Sequence, residues 1–246
     1  MAKTSFMYKC IKGLVALCYP KTTLIGQLPE GAAIIVGNHT KMNGPICSEL
    51  FIPQPRYTWC NGEMMDKKEV AAYAYQDFWS QKPKAQRPFY KLLSHLIVPF
   101  SVCVFNNADT IGVYRDARIM STFKTTLKHL QEGCRIVIFP EHYEPHNHIV
   151  NDFQDKFIDI ARLYYKKTGQ KLPFVPLYIA PALKQMHLGQ PVYYDPDAPA
   201  EQERMRIKNA LMDGVTELAL SLPPHRVVPY NNVPKKQHPI SREETQ

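Results

Sequence analysis

The chain has little glycine and no cysteine framework. Its 11 glycines in 246 residues are too few for a collagen-like or Gly-rich linker protein. The six cysteines, at 10, 18, 47, 60, 103 and 134, include no C-x-x-C pair, and several lie in apolar runs where a free thiol behaves as a small hydrophobe. This argues against a zinc finger or a disulfide scaffold and for a reducing, cytosolic setting. Repeats, low-complexity segments and nucleic-acid-binding motifs are lacking too, and the basic residues are dispersed, so no nucleic-acid partner is expected. Long apolar runs are also missing. Lys9 and Lys12 interrupt FMYKCIKGLVALC (6–18), and His95 and Pro99 break LLSHLIVPFSVCVF (92–105), both short of the ~20 residues that span a bilayer. No small-residue cleavage site follows the first run, which therefore does not read as a signal peptide.

What is present is an ordinary globular composition with a basic bias. Hydrophobic residues at 45% and charged residues at 21% exclude a disordered chain, and the length suffices to bury roughly three quarters of the unfolded surface. The formal charge of +8 calls for an anionic partner, a membrane surface or a phosphorylated substrate. Met7, Cys10, Ile11, Leu14, Val15 and Cys18 recur at helical spacing. With Lys3, Lys9, Lys12 and Lys21 and no acid before Glu30, they define a basic amphipathic helix, which either lies in a membrane interface or packs as a first core helix.

Downstream, short apolar runs alternate with helical patterns. AAIIVG (32–37), RYTWC (56–60), VPFSVCVF (98–105), RIVIFP (135–140), FVPLYIAP (174–181) and PVYYD (191–195) read as strands. A helix opens at Pro45 with Asn43 as N-cap. A second, marked by Ile119, Phe123, Leu127 and Leu130, stops at Gly133. Phe153, Phe157, Ile160, Ala161 and Tyr164 mark a third, and Met205 to Leu222 the last. The alternation predicts the α/β class: a single domain with a layered, mixed and largely parallel sheet flanked by helices. The expected organisation is the basic helix over 1–27, the α/β domain over 28–222, and a Pro-rich tail over 223–246, extended over the surface or loose.

In such sheets ligands gather beyond the carboxyl ends of the strands. Three of these ends are polar: NHTKMNGP (38–45), NNADTIGVYRDAR (106–118) and EHYEPHNH (141–148). These loops, in this order and followed by a Val-Pro strand, resemble the glycerophospholipid acyltransferases of the 1-acylglycerol-3-phosphate type. That family carries N-H-x-x-x-x-D after a strand, then an Arg block, then F-P-E-G-T-R-S, then an apolar strand with V-P. The matches here are Asn38-His39, Arg115 or Arg118, Phe139-Pro140-Glu141 and Val175-Pro176, spread over roughly residues 30 to 190. Two departures stand out. Gly44 replaces the Asp, and His142, Tyr143, Glu144 and Pro145 replace G-T-R-S.

The resemblance implies acyl transfer with His39 as general base on an acceptor hydroxyl, which attacks an acyl thioester. It implies no cofactor, with acyl-CoA or acyl carrier protein as co-substrate. The acceptor is a lysophospholipid or another phosphorylated, glycerol-like molecule. Asn43 orients the imidazole but brings no negative charge; Glu49, Glu141 or a residue the sequence does not place is left for that role. Donors for the oxyanion are expected at the helix start after Gly44-Pro45. Arg115 or Arg118, with Lys41, binds the phosphate, Arg115 having the better spacing from Glu132-Gly133. Glu141, after Pro140, hydrogen-bonds the acceptor's hydroxyls. The place implied is cytoplasmic, peripheral to the inner face of an anionic membrane.

Each of these residues also has an ordinary structural reading: a core or capping histidine, a surface Arg–Asp pair, a turn glutamate, a solvated lysine. Trp59 and Trp79 read as core or acyl-pocket walls. Two other functions compete: a lipid-binding relative that has lost catalysis with the Asp, and a metal-dependent hydrolase using His142, His146 and His148. Pro145 opposes the latter by breaking the helix that would align the first two, so no metal site is assigned.

Overall fold

The computed structural model describes residues 5–80 and 82–242; Lys3 of the N-terminal basic set lies outside them. The elements in chain order are α1 (Phe6–Cys18), β1 (Thr23–Ile25), β2 (Ala33–Gly37), α2 (Asn43–Phe51), β3 (Arg56–Asn61), α3 (Val70–Ala74), α4 (Arg87–Leu96), α5 (Val98–Phe105), β4 (Thr110–Val113), α6 (Ile119–Gln131) and β5 (Arg135–Ile138). There follow β6 (Glu141–Pro145), β7 (Asn151–Phe153), α7 (Asp159–Thr168), β8 (Pro173–Ala180), β9 (Gln185–Leu188), β10 (Val192–Tyr193) and α8 (Ala200–Ser221). They gather into two compact units: a sheet unit from 20–58 and 126 onward, and a helical unit from residues up to 19 and 59–125.

In the sheet unit the strands run in the order β1-β9-β8-β2-β5-β3, with β10 against β8. β2 lies between β8 and β5 and is parallel to both; Ile35 stands level with Val175 and Val137. β3/β5 and β1/β9 are also parallel, while β8/β9 and β8/β10 are antiparallel. The sheet is therefore mixed and largely parallel, as the alternation predicts. The continuous apolar runs of β2 and β8 are the sequence form of strands covered on both faces, and Ala33, Ile34, Ile35 and Val36 are fully buried. Pro176 is tolerated because it stands one residue outside the antiparallel ladder, which begins at Leu177 opposite Leu188. α8 packs along β8. α6 stops where expected, before Gly133, and α7 stops before Gly169, both glycines at positive φ.

The helical unit has a small core of Tyr8, Cys103 and Ala108, joined by Ile11 and Val104. α1 thus packs through one narrow face and leaves Phe6, Met7, Leu14 and Leu17 exposed. α4 does the same, exposing Phe89, Leu92 and Leu96.

Three sequence expectations are corrected. Residues 98–105 form a helix, not a strand. Pro99 sits in its first turn, where a missing N–H costs nothing, and the hydroxyl of Ser101 donates to Met64 O at 2.9 Å. This local tertiary anchoring outweighs the β preference of its valines. Phe153 belongs to β7, not to the helix of Tyr164, which begins at Asp159 after a 3-10 turn. Residues 223–242 of the C-terminal segment are neither extended nor loose: His225, Val227 and Ser241 are buried.

Candidate functional site

The site of the sheet unit is built at the carboxyl end of β2. Regular pairing of β2 with β8 ends at Gly37 opposite Leu177. Asn38 then continues it with its side chain: Nδ2 donates to Ile179 O at 3.1 Å, and Ile179 N donates to Oδ1 at 2.7 Å. This buried amide holds the backbone at the point where His39 leaves the sheet.

The next hold on His39 comes from Glu141. Its Oε2 accepts from His39 N at 2.5 Å and its Oε1 from Asn151 N at 2.8 Å. The carboxyl group therefore ties the end of β2 to β7 through one backbone donor on each oxygen. Burial pushes its pKa up to about 7, and the N–H groups of Asn151 and His39 oppose the rise without cancelling it. Glu49 is occupied elsewhere, 2.6 Å from Arg56 Nη2. The imidazole of His39 lies edge-on to Phe139 and to Tyr230, each with ring centroids 5.6 Å away.

Residues 39–44 form a closed turn. Thr40 and Lys41 have φ of 45° and 58°. Asn43 N and Nδ2 both donate to Thr40 O, at 3.1 and 2.9 Å, and Gly44 N donates to His39 O at 3.0 Å. Two expectations change here. Asn43 is the first residue of α2, not its N-cap, and its amide shapes the turn. The early N–H groups of α2 are not open to an oxyanion: Gly44 N is taken, Pro45 has none, and Ile46 N donates to Met42 O. Gly44 itself is sterically required. A Cβ there would lie 2.6 Å from His39 O and 3.1 Å from the Phe139 ring, so this turn does not admit the family's Asp.

Lys41 Nζ donates to Asn232 Oδ1 at 3.3 Å and to Val233 O at 3.5 Å. Pro140 is buried, and its carbonyl accepts from Gln154 N at 3.0 Å. The structure thus brings His39, Asn43, Lys41, Pro140 and Glu141 together in one unit. Arg115 and Arg118 belong to the helical unit. Arg118 is bonded to Asp116 and Glu69 and lies 4.2 Å from the Tyr114 ring centre. Arg115 is exposed and makes no ion pair among the described residues.

The three loop histidines part ways. His142 faces Asp152 at 3.4 Å, His146 faces Asp213 at 3.9 Å, and His148 Nε2 donates to Ser241 O at 2.9 Å. Three separate partners do not make a chelating set. A grouping that does place potential ligand atoms within 4.8 Å of one another is His129, Glu132 and Cys134, at the end of α6. There His129 already bonds Glu132 at 3.0 Å and stacks on Tyr57.

Sequence reasoning missed Asn38 as a structural clasp, Asn151 as the second donor to Glu141, and Tyr230 against the imidazole. The first two sit at strand ends, where a polar residue after an apolar run is a usable signal. Tyr230 lies almost two hundred residues from His39 in a segment without periodicity, and nothing local marks it.

No protein-family model matches the chain, and no curated protein matches it. Among solved structures the chain is similar to the 1-acyl-sn-glycerophosphate (LPA) acyltransferase PlsC from Thermotoga maritima. The identity is 14%, over 89% of this chain and 83% of that one, with a TM-score of 0.46.

Proposed function

We propose that the chain is an acyltransferase that moves a fatty acyl group from an acyl thioester to a hydroxyl of a phosphorylated, glycerol-like acceptor. The observation that carries this reading is the way His39 is held. It stands at the end of the central strand, its backbone clasped by Asn38 from one side and Glu141 from the other, its ring walled by Phe139 and Tyr230. A histidine this well fixed can work as a general base. It takes the proton of the acceptor hydroxyl as that oxygen attacks the thioester carbonyl. The carbon–sulfur bond then breaks, and the proton leaves with the thiol. Phe139 and Tyr230 cover the imidazole from water until the acceptor enters, which favours transfer over hydrolysis. Glu141 acts as a positioning residue in this scheme, through the backbone of His39.

The donor is acyl-CoA or acyl carrier protein, both anionic partners suited to a basic protein. Of the two arginines expected to meet an acceptor phosphate, Arg118 is already paired with Asp116 and Glu69, and Arg115 is exposed on the helical unit. Peripheral contact with an anionic, cytoplasmic membrane face belongs to the same proposal. Phe89, Leu92 and Leu96 form an exposed apolar stripe on α4, with Lys84, Arg87 and Lys91 alongside. No single described helix is long and apolar enough to cross a bilayer; α4 and α5, bent by 42°, pass that test only as a pair.

The test is acyl transfer from labelled acyl-CoA or acyl carrier protein to lysophosphatidate or glycerol 3-phosphate, repeated with His39→Ala. Loss of the base lowers turnover by roughly 10²-fold or more. Turnover that survives removes His39 as the base. A wild type inactive with every donor and acceptor favours the second reading, a lipid-binding relative without catalysis, which the glycine at 44 motivates.

A further inference from the structure

The segment after α8 closes into a loop. At its base Ser241 N donates to His225 O at 2.8 Å, Val227 N donates to Pro239 O at 2.9 Å, and Arg226 bridges Ile240. The base is pinned to the sheet by Tyr178, whose hydroxyl is 2.8 Å from His225 Nε2 in a buried contact, and to the β6–β7 loop by His148 on Ser241 O. Compact loops with touching ends of this size are Ω-loops and frequently functional.

The tip reaches the His39 site. Tyr230 lies against the imidazole and against Tyr143, with ring centroids 5.6 and 5.7 Å away. Asn231 Nδ2 donates to Tyr143 O at 3.1 Å, and Lys41 holds Asn232 Oδ1 and Val233 O. Base and tip differ in kind. In the base His225, Val227 and Ser241 are buried and joined by two backbone bonds; the tip is half-exposed, and the bonds that tie it to Tyr143 and Lys41 run at 3.1 to 3.5 Å. Segments with few buried contacts open locally at low cost while their anchors stay closed.

We propose that residues 230–233 are a lid on the His39 site, latched by Lys41 and released by a phosphate monoester. In the closed state the Lys41 ammonium has two neutral oxygens as partners. A phosphate offers a charge-assisted bond, shorter and roughly twice as strong, and so takes Lys41 from Asn232 and Val233. Tyr230 then swings off the imidazole as the headgroup that displaced it enters. The lid would thereby admit acceptors that carry a phosphate and hold the histidine covered against those that do not. The acceptor's identity rests on the acyl-transfer reading; the lid and its latch do not.

Two measurements test this without turnover. The first is carbethoxylation of His39 by diethyl pyrocarbonate, followed by peptide mass spectrometry. Tyr230→Ala and Asn232→Ala should each speed it about tenfold over wild type. Rates equal to wild type in both variants overturn the lid. The second is hydrogen exchange of residues 228–235 with glycerol 3-phosphate, inorganic phosphate or glycerol. Either phosphate should speed exchange at the tip, glycerol should not, and Lys41→Ala should exchange fast in all three. A tip indifferent to both phosphates overturns the latch. If the lid responds and no acyl transfer is found, the lid stands and the proposed activity falls.

Discussion

At the scale of single residues, Glu141 and Gly44 set the chemistry of the site. A free glutamate titrates near 4.3, whereas Glu141 in the fold titrates at about 7 because burial disfavours its charge. Between those values the folded state keeps a proton that the unfolded chain has lost. Its contribution to stability is therefore full below about pH 4 and is lost as pH rises through about 7, by on the order of 3 kcal/mol. Urea unfolding from pH 4.5 to 8 should show this slope in wild type and a flatter one in Glu141→Gln. That variant also leaves one backbone N–H short of an acceptor, a loss of about 1–3 kcal/mol at low pH. Gly44 makes a different prediction. Its missing Cβ leaves room for His39 O, so Gly44→Ala and Gly44→Asp should both cost about 1–3 kcal/mol in thermal unfolding. Gly44→Asp should not raise turnover; a rise would mean that the turn relaxes to accept the family's carboxylate.

At the scale of elements, the legible ones were those whose burial is complete or one-sided over a whole period. β2, β5 and β8 are continuous apolar runs, and α6 and α8 repeat at the helical spacing. α5 was not legible because Val98-Pro99-Phe100-Ser101-Val102-Cys103-Val104 satisfies a strand pattern locally, and only its packing with Tyr8 and the Met64 carbonyl decides for helix. α2 is held from its far end by a residue of the next strand. Arg56, 1% exposed, donates from Nε to Ile52 O at 3.1 Å, and from Nη2 to Glu49 O at 2.7 Å and to the Glu49 carboxylate at 2.6 Å. It thereby satisfies carbonyls that end the helix. Arg56→Ala leaves Glu49 without its cation and should cost about 3–5 kcal/mol in denaturant unfolding. A loss below about 1 kcal/mol would show that water takes over the helix end.

At the scale of the whole molecule, the +8 charge and the exposed apolar side chains bear on membrane contact. Because Leu92 and Leu96 are 60% and 64% exposed, replacing both by Glu should leave the melting temperature unchanged. The same change should cut sedimentation with vesicles of phosphatidylglycerol and phosphatidylcholine by tenfold or more. Unaltered sedimentation would show that α4 is not the contact. α1 illustrates how one apolar pattern can be divided between two faces. Its helical spacing is real, but it turns Tyr8 and Ile11 inward and leaves Leu14 and Leu17 outside, a split between faces that periodicity alone does not rank.

Local order in the chain determined the α/β class, the strand ends that bear polar loops, and the pairing of an Asn-His with a Phe-Pro-Glu. These are short-range properties, since apolar runs and spacings state what each segment must bury. Only the tertiary structure decided what those residues touch. It set Glu141 on the backbone N–H groups of His39 and Asn151, filled the donors at the start of α2, separated three neighbouring histidines, and folded the C-terminal segment back onto the imidazole. Each of these depends on contacts between residues far apart in the chain, where packing and hydrogen-bond satisfaction choose partners that no local pattern specifies.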